Sequence, residues 1–178
     1  DGPVPGGFAT SRVYVWDRLA PDPLAAVRQV AGSAAGADSD QPVISGNGQF
    51  IAFRSAQTGL VAEAEYPACV DVCPAQIYRF DQTSGVTLLV SHRPFTLDGP
   101  IIAANRGGAQ PAITDDGTQV AFITRSDDLF STHAAAGADP GDGDLVVANV
   151  DLGVIRRVSV QADGVTPAPA THAHPAMS

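Results

Sequence analysis

Apolar residues in this chain come in short runs, and turn residues cut those runs at close intervals. Phe50-Ile-Ala-Phe53 and Gln119-Val-Ala-Phe-Ile123 are apolar at successive positions instead of alternating ones, so these strands should bury both faces. Each follows a tight turn, Gly46-Asn-Gly48 or Asp115-Asp-Gly117, whose Asn, Asp and Gly tolerate the positive φ of short hairpin loops. Two further strands are expected at 77–80 and 86–90, joined through Thr83-Ser-Gly85. The 18 Gly and 14 Pro are spread along the whole chain, which leaves little room for long helices and points to an all-β protein.

The pattern repeats. Gln41-Pro-Val-Ile-Ser45 lies over Gln110-Pro-Ala-Ile-Thr114 at an offset of 69, which also sets Gly48 on Gly117 and Ala52-Phe53 on Ala121-Phe122. Gln76-Ile-Tyr-Arg-Phe-Asp81 lies over Asp144-Leu-Val-Val-Ala-Asn149 at an offset of 68, with Gly85 on Gly153. Arg12-Val-Tyr-Val-Trp-Asp17 repeats that second half earlier, and His174-Pro-Ala-Met-Ser178 begins the first half again. The units are therefore the outer half of one at 11–40, whole ones at 41–108 and 109–173, and a first strand at 174–178. Four antiparallel strands per unit, apolar on both faces, describe a blade, with inner strands near 41–45 and 109–114. The expected fold is an all-β, partial β-propeller. A ring takes about four blades or more, so this stretch should not close alone. Its partial ends are complementary, as they would be if further blades of the same chain or another chain completed the ring.

The run of Pro, Ile or Val, Ser or Thr, then Asn/Asp-Gly, then Ala-Phe, then a Tyr-x-Phe/Trp-Asp strand resembles the WD40-like PD40 repeats of TolB-type β-propellers. The resemblance covers nearly the whole chain, apart from the Cys-containing insert. It implies a larger propeller of an exported bacterial protein, in the periplasm, at the cell surface or outside, where such modules bind other proteins and sometimes accompany a hydrolase domain.

Charge and composition narrow the partners. The net charge is −9 and all ten basic residues are arginine, so no basic stripe is present to neutralise a phosphate backbone, and nucleic acid is an unsuitable partner. The absence of lysine removes Schiff-base and P-loop chemistry. No apolar run approaches the roughly 20 residues of a membrane span. The chain begins at Asp1 without a methionine or signal peptide and reads as mature or trimmed. Gly-x-Ser-x-Gly, His-Glu-x-x-His and Ser-x-x-Lys do not occur, and Asp115-Asp116 sits in a hairpin turn where Asp is favoured for backbone reasons, so no catalytic residues are assigned. The only cysteines, Cys69 and Cys73, are close enough for a small disulfide ring in an oxidising compartment, with two free thiols or half a metal site as the other readings.

Loop lengths single out one face. The first-to-second and third-to-fourth connections are mostly tight turns, whereas 32–40, 56–75, 92–108, 126–142 and 160–173 open on the opposite face. Those five loops hold Asp38, Asp40, Glu63, Glu65, Asp71, Asp98, Asp127, Asp128, Asp139, Asp142 and Asp163 against Arg93 and Arg106. Long loops on a rigid scaffold are where binding is usually placed, although acidic loops also serve solubility alone. Asp38, Asp40, Glu63, Glu65, Asp127, Asp128, Asp139 and Asp142 are the candidate binding residues. Asp139, Asp142 and Asp144 space oxygen ligands for Ca²⁺, without the distant bidentate Glu of an EF-hand, and a Gly-rich turn is the competing reading. His172 with His174, and the isolated His92 and His133, read as surface histidines before metal ligands. Tyr14, Trp16, Tyr78 and Phe80 share one strand position and read as blade packing. The expected function is a non-catalytic interaction or scaffold module; the propeller part of a larger hydrolase or peptidase, and a subunit of an extracellular assembly, are the alternatives.

Overall fold

Each tight turn places one glycine in the left-handed region: Gly48, Gly85, Gly117 and Gly153 have φ of 73°, 72°, 75° and 63°. Around these turns the chain folds into short antiparallel strands. A computed structural model describes residues 11–22, 24–31, 37–69, 73–94, 99–130, 143–162 and 175–177, and among these it contains strands and no α-helix. β1 (Val13–Trp16) and β2 (Val27–Ala31) form an antiparallel ribbon. β3 (Ser39–Ile44), β4 (Phe50–Ser55), β6 (Gln76–Asp81) and β7 (Thr87–Leu89) form one four-stranded sheet in that order. β9 (Ala109–Ile113), β10 (Gln119–Thr124), β11 (Asp144–Asn149) and β12 (Val154–Arg157) form another with the same order. A short parallel pair, β5 (Ala64–Glu65) with β8 (Ile101–Ile102), had no counterpart in the sequence pattern. Of the expected first strand at 174–178, residues 174 and 178 lie outside the described residues and 175–177 carry no strand.

The apolar runs bury both faces because each sheet has a neighbour on either side. In β4, Ile51 and Phe53 pack with Tyr78 and Phe80 of β6 against Val13 and Val15 of the ribbon. The intervening Ala52 and Ile77 face the second blade, where Phe122, Val120, Val146 and Ala148 meet them. Register carries the alternation across the sheet: Phe53 pairs with Tyr78 and Phe122 with Val146. Truncating a fully buried Phe such as Phe122 costs about 3–5 kcal/mol.

Polar groups fasten the blades at the turns. Arg79 of β6 is buried, and its guanidinium lies 4.5 Å from the Phe50 ring centroid. It donates to the Gly117 carbonyl at 2.7 Å and to Asp151 at 3.0 Å, both in the next blade. Where first strands of adjacent blades meet, Gln41 and Gln110 occupy equivalent positions with φ of 52° and 54°, and the Gln41 Oε1 accepts from the Gln110 N–H at 2.7 Å. Side chains rarely adopt this conformation, and here it coincides with register shifts in both β3 and β9.

Gly48 and Gly117 separate backbone conformation from inter-blade packing. A Cβ on Gly48 would meet open space, whereas one on Gly117 would strike the Phe50 ring of the preceding blade. Both substitutions incur the left-handed cost, so Gly48→Ala is expected to lose about 1 kcal/mol and Gly117→Ala about 2–4 kcal/mol in denaturant unfolding. Equal losses would contradict the packing of the Phe50 ring on this turn.

Candidate interaction face

The connections leaving β4, β7 and β10 start from the strand ends opposite the tight turns. In the first blade two of them are joined. Ala64 and Glu65 run parallel to Ile101 and Ile102, the Ala103 N–H donates to the Glu65 carbonyl at 2.8 Å, and the Arg93 N–H donates to the Ile102 carbonyl at 2.8 Å. Val61 anchors the first loop in the core, and the Tyr78 hydroxyl beneath it donates to the Gln57 carbonyl at 3.1 Å and lies 3.3 Å from the Tyr66 hydroxyl. Burial pushes the Tyr78 hydroxyl far above the ordinary tyrosine range, so it stays a neutral donor. A Cys69–Cys73 disulfide closes the end of this loop and fits an oxidising compartment.

The second blade is clipped to these loops by acids. Asp128 accepts from the Arg93 Nε at 2.7 Å and from the Asn105 N–H at 3.1 Å. Asp127 accepts from the Asn105 amide at 2.5 Å and lies 3.9 Å from Arg106. Leu129, next along, is buried in the inter-blade core. The other candidates also have internal partners: Asp40 is paired with Arg54 at 3.0 Å, and the Asp38 carboxylate accepts from the Ser11 N–H at 2.7 Å. Glu63 and Glu65 are exposed, as Asp38 and Asp127 are, but differ in making no ion pair and no side-chain hydrogen bond among the described residues. Sequence spacing did not reveal Arg54 or Asn105 as partners, because both bonds depend on register and on blade neighbourhood.

Asp144 belongs to a device that repeats. Ser159 Oγ donates to Asp144 at 3.0 Å and accepts from the Leu145 N–H at 3.1 Å, and Arg157 pairs with the same carboxylate at 3.0 Å. One blade earlier, Ser91 Oγ donates to Gln76 at 2.7 Å and accepts from the Ile77 N–H at 2.9 Å. The serine thus ties the end of the fourth strand to the start of the third at equivalent positions. Asp139 and Asp142, the other two calcium candidates, lie outside the described residues, as do Asp71, Asp98, Asp163, His133, His172 and His174. Among the described residues no three His, Cys, Asp or Glu side chains gather into a metal-binding group. Asp116 accepts from Thr114 and Thr118 within its own turn, and these bonds, Thr114 first, lower its pKa. That is the turn role expected from the sequence.

Same-order four-stranded sheets, stacked face to face with a repeated serine tie, decide the architecture. The chain is a partial β-propeller. No protein-family model matches it, and no curated protein matches it. Among solved structures this partial propeller is similar to TolB from Acinetobacter baumannii, at 17% identity over 74% of this chain and 23% of that one, with a TM-score of 0.42. An oligogalacturonate lyase in complex with manganese is similar at 15% identity over 86% of this chain and 30% of that one, with a TM-score of 0.47. A TolB-like protein from Agrobacterium tumefaciens is similar at 18% identity over 74% of this chain and 36% of that one, with a TM-score of 0.43. The propeller segment thus spans 23% to 36% of these structures.

His92 is expected to make the stability of this face depend on pH. It is buried beside the joined loops, its Nδ1 lies 2.6 Å from the Arg93 carbonyl, and it bridges to Ala103. Burial lowers its pKa below the ordinary 6.5, outweighing the hydrogen bond to Arg93, which raises it. The unfolded chain then binds this proton more readily than the folded one. The stability that His92 contributes is therefore present above about pH 6.5 and lost as pH falls below it. Unfolding temperatures between pH 7.5 and 5 are expected to fall with pH in the parent and more shallowly in His92→Gln. Parallel slopes would contradict the assignment.

Proposed function

We propose that this propeller segment serves as a non-catalytic scaffold and protein-interaction module of an exported bacterial protein, and that it binds through its acidic long-loop face. The observation that carries this reading is the fastening of the loops. The β5–β8 pairing and the Asp127/Asp128 clip hold connections from two blades in one arrangement, and the Cys69–Cys73 ring constrains one of them locally, which lowers the ordering cost of binding. The opposite side offers tight turns. Glu63 and Glu65 supply exposed charge for a basic protein surface, while Asp38, Asp40, Asp127 and Asp128 chiefly hold the loops in place. The sequence reading adds Asp139 and Asp142 to this face; both lie outside the described residues. The disulfide supports a site of action in the periplasm, on the cell surface or outside the cell.

Site-specific photocrosslinking tests this reading in the producing cell, with one probe at position 65 and another at Leu152, an exposed residue of a tight turn on the opposite side. A protein adduct is expected from position 65, absent from 152, and weakened several-fold by Glu63→Gln and by raised salt. Adducts from position 152 alone, or equal adducts from both, would overturn it.

A further inference from the structure

The tight turn between β3 and β4 carries an asparagine open to spontaneous chemistry. Asn47 is exposed and is followed by Gly48, whereas the other two asparagines of the chain, Asn105 and Asn149, precede Arg106 and Val150. Without a Cβ, Gly48 leaves its backbone nitrogen open to the side-chain amide before it, and asparagine is a thermolabile residue. Hydrogen bonding treats the two ends of that amide unequally. The Asn47 Oδ1 accepts from the Ser45 Oγ at 2.6 Å and from the Gln49 N–H at 2.9 Å, which draws electron density from the amide carbon and curls the side chain back along the backbone. The Nδ2 makes no hydrogen bond among the described residues.

One blade on, the same turn is built around an acid. Asp116 stands at the position of Asn47, and its Oδ1 accepts from the Thr114 Oγ1 at 2.6 Å and from the Thr118 N–H at 3.0 Å. The hydroxyl that starts each turn also accepts from the strand that follows, Ser45 from the Phe50 N–H at 2.9 Å and Thr114 from the Gln119 N–H at 3.1 Å. The oxygen that holds the turn is therefore common to both residues. The nitrogen that distinguishes asparagine from aspartate takes no part in it.

We propose that Asn47 is a modification site at which the folded chain loses its side-chain amide to water, and that the turn retains the aspartate so formed. The Gly48 nitrogen gives up its proton and bonds to the Asn47 Cγ, the bond from Cγ to Nδ2 breaks, and Nδ2 leaves as ammonia with that proton, closing a cyclic imide. Closure has to release the Gly48 N–H from the Ser45 carbonyl, 2.9 Å away, so the step is slower in the folded chain than in the unfolded one. Water then opens the ring. Breaking the bond from Cγ to the Gly48 nitrogen gives aspartate, whereas breaking the bond from the backbone carbonyl carbon to that nitrogen gives isoaspartate, whose main chain is one methylene longer. The fold discriminates between them. The Asn47 N–H donates to the Asp115 carbonyl of the next blade at 3.0 Å, and the Gly48 carbonyl accepts from the Gln82 Nε2 at 2.5 Å, so a lengthened turn loses contacts on both sides and aspartate keeps them. The new carboxylate stands in the turn that touches Asp115, away from the long-loop face.

Peptide mass mapping of the folded 178-residue chain, held in mildly alkaline buffer, tests this. The peptide carrying residue 47 is expected to gain the mass that separates an acid from its amide, while those carrying Asn105 and Asn149 stay unchanged. Aspartate is expected to prevail over isoaspartate in the folded chain, and isoaspartate over aspartate when the same chain is incubated in urea. Gly48→Ala is expected to slow the gain roughly tenfold, because a Cβ crowds the attacking nitrogen. If that variant does not fold, Asn47→Ser, which has no amide to lose, is expected to abolish the gain. Asn47→Asp, the product made directly, is expected to unfold at the parent's temperature. A residue 47 peptide that never changes, an equal gain at Asn105 or Asn149, isoaspartate prevailing in the folded chain, or a clearly lower unfolding temperature for Asn47→Asp would each overturn the proposal.

Discussion

Everything in this molecule depends on blade faces being covered by other blade faces. A sheet buried on one side only can meet water with alternate polar residues, but β4, β10 and β11 are apolar at successive positions, and β6 is buried at successive positions with its Arg79 bonded to the next blade, so none has such a side. The neighbour is therefore part of each blade's own stability. Ala52 and Ile77 are sealed only because Phe122 and Val146 stand opposite, and Tyr78 and Phe80 only because the β1–β2 ribbon does.

Stacking of this kind sets the form of the rest. Turns on one side must be tight, since Arg79 reaches from β6 into the next blade at Gly117 and Asp151, and the Phe50 ring fills the space that a side chain on Gly117 would take. The other side is free to carry long connections, and these are fastened to one another by backbone pairing and carboxylates, with a disulfide closing one of them on itself. A stiff surface of loops on a stacked base suits recognition better than a mobile one, because less order has to be imposed at the moment of binding.

Local chemistry was legible in the sequence and distant pairing was not. Positive φ at Gly48, Gly85, Gly117 and Gly153 was readable because turn chemistry is contained within three or four residues. The doubly buried strands were readable because an unbroken apolar run has few other solutions. By contrast, β5 and β8 are two residues each, too short for any period, and their pairing follows from where two loops happen to be returned. The left-handed Gln41 and Gln110 were invisible because Gln is not a residue that announces positive φ; the bond between them across the blades accompanies it. Among the candidate acids, composition exposed the charge but not its use. Asp40, Asp127 and Asp128 are spent on Arg54, Asn105 and Arg93, partners supplied by register and by the neighbouring blade, which leaves Glu63 and Glu65 as exposed acids without such partners among the described residues.

Mutual stabilisation of the blades is tested most directly by hydrogen exchange on Phe122→Ala, a truncation in β10 of the second blade that faces the first. The amides of β6, in the first blade, are expected to lose protection together with those of β10, by an amount that approaches the roughly 3–5 kcal/mol cost of the truncation. Loss confined to β9–β12, with β6 as protected as in the parent, would show the blades to be independent and would contradict this account.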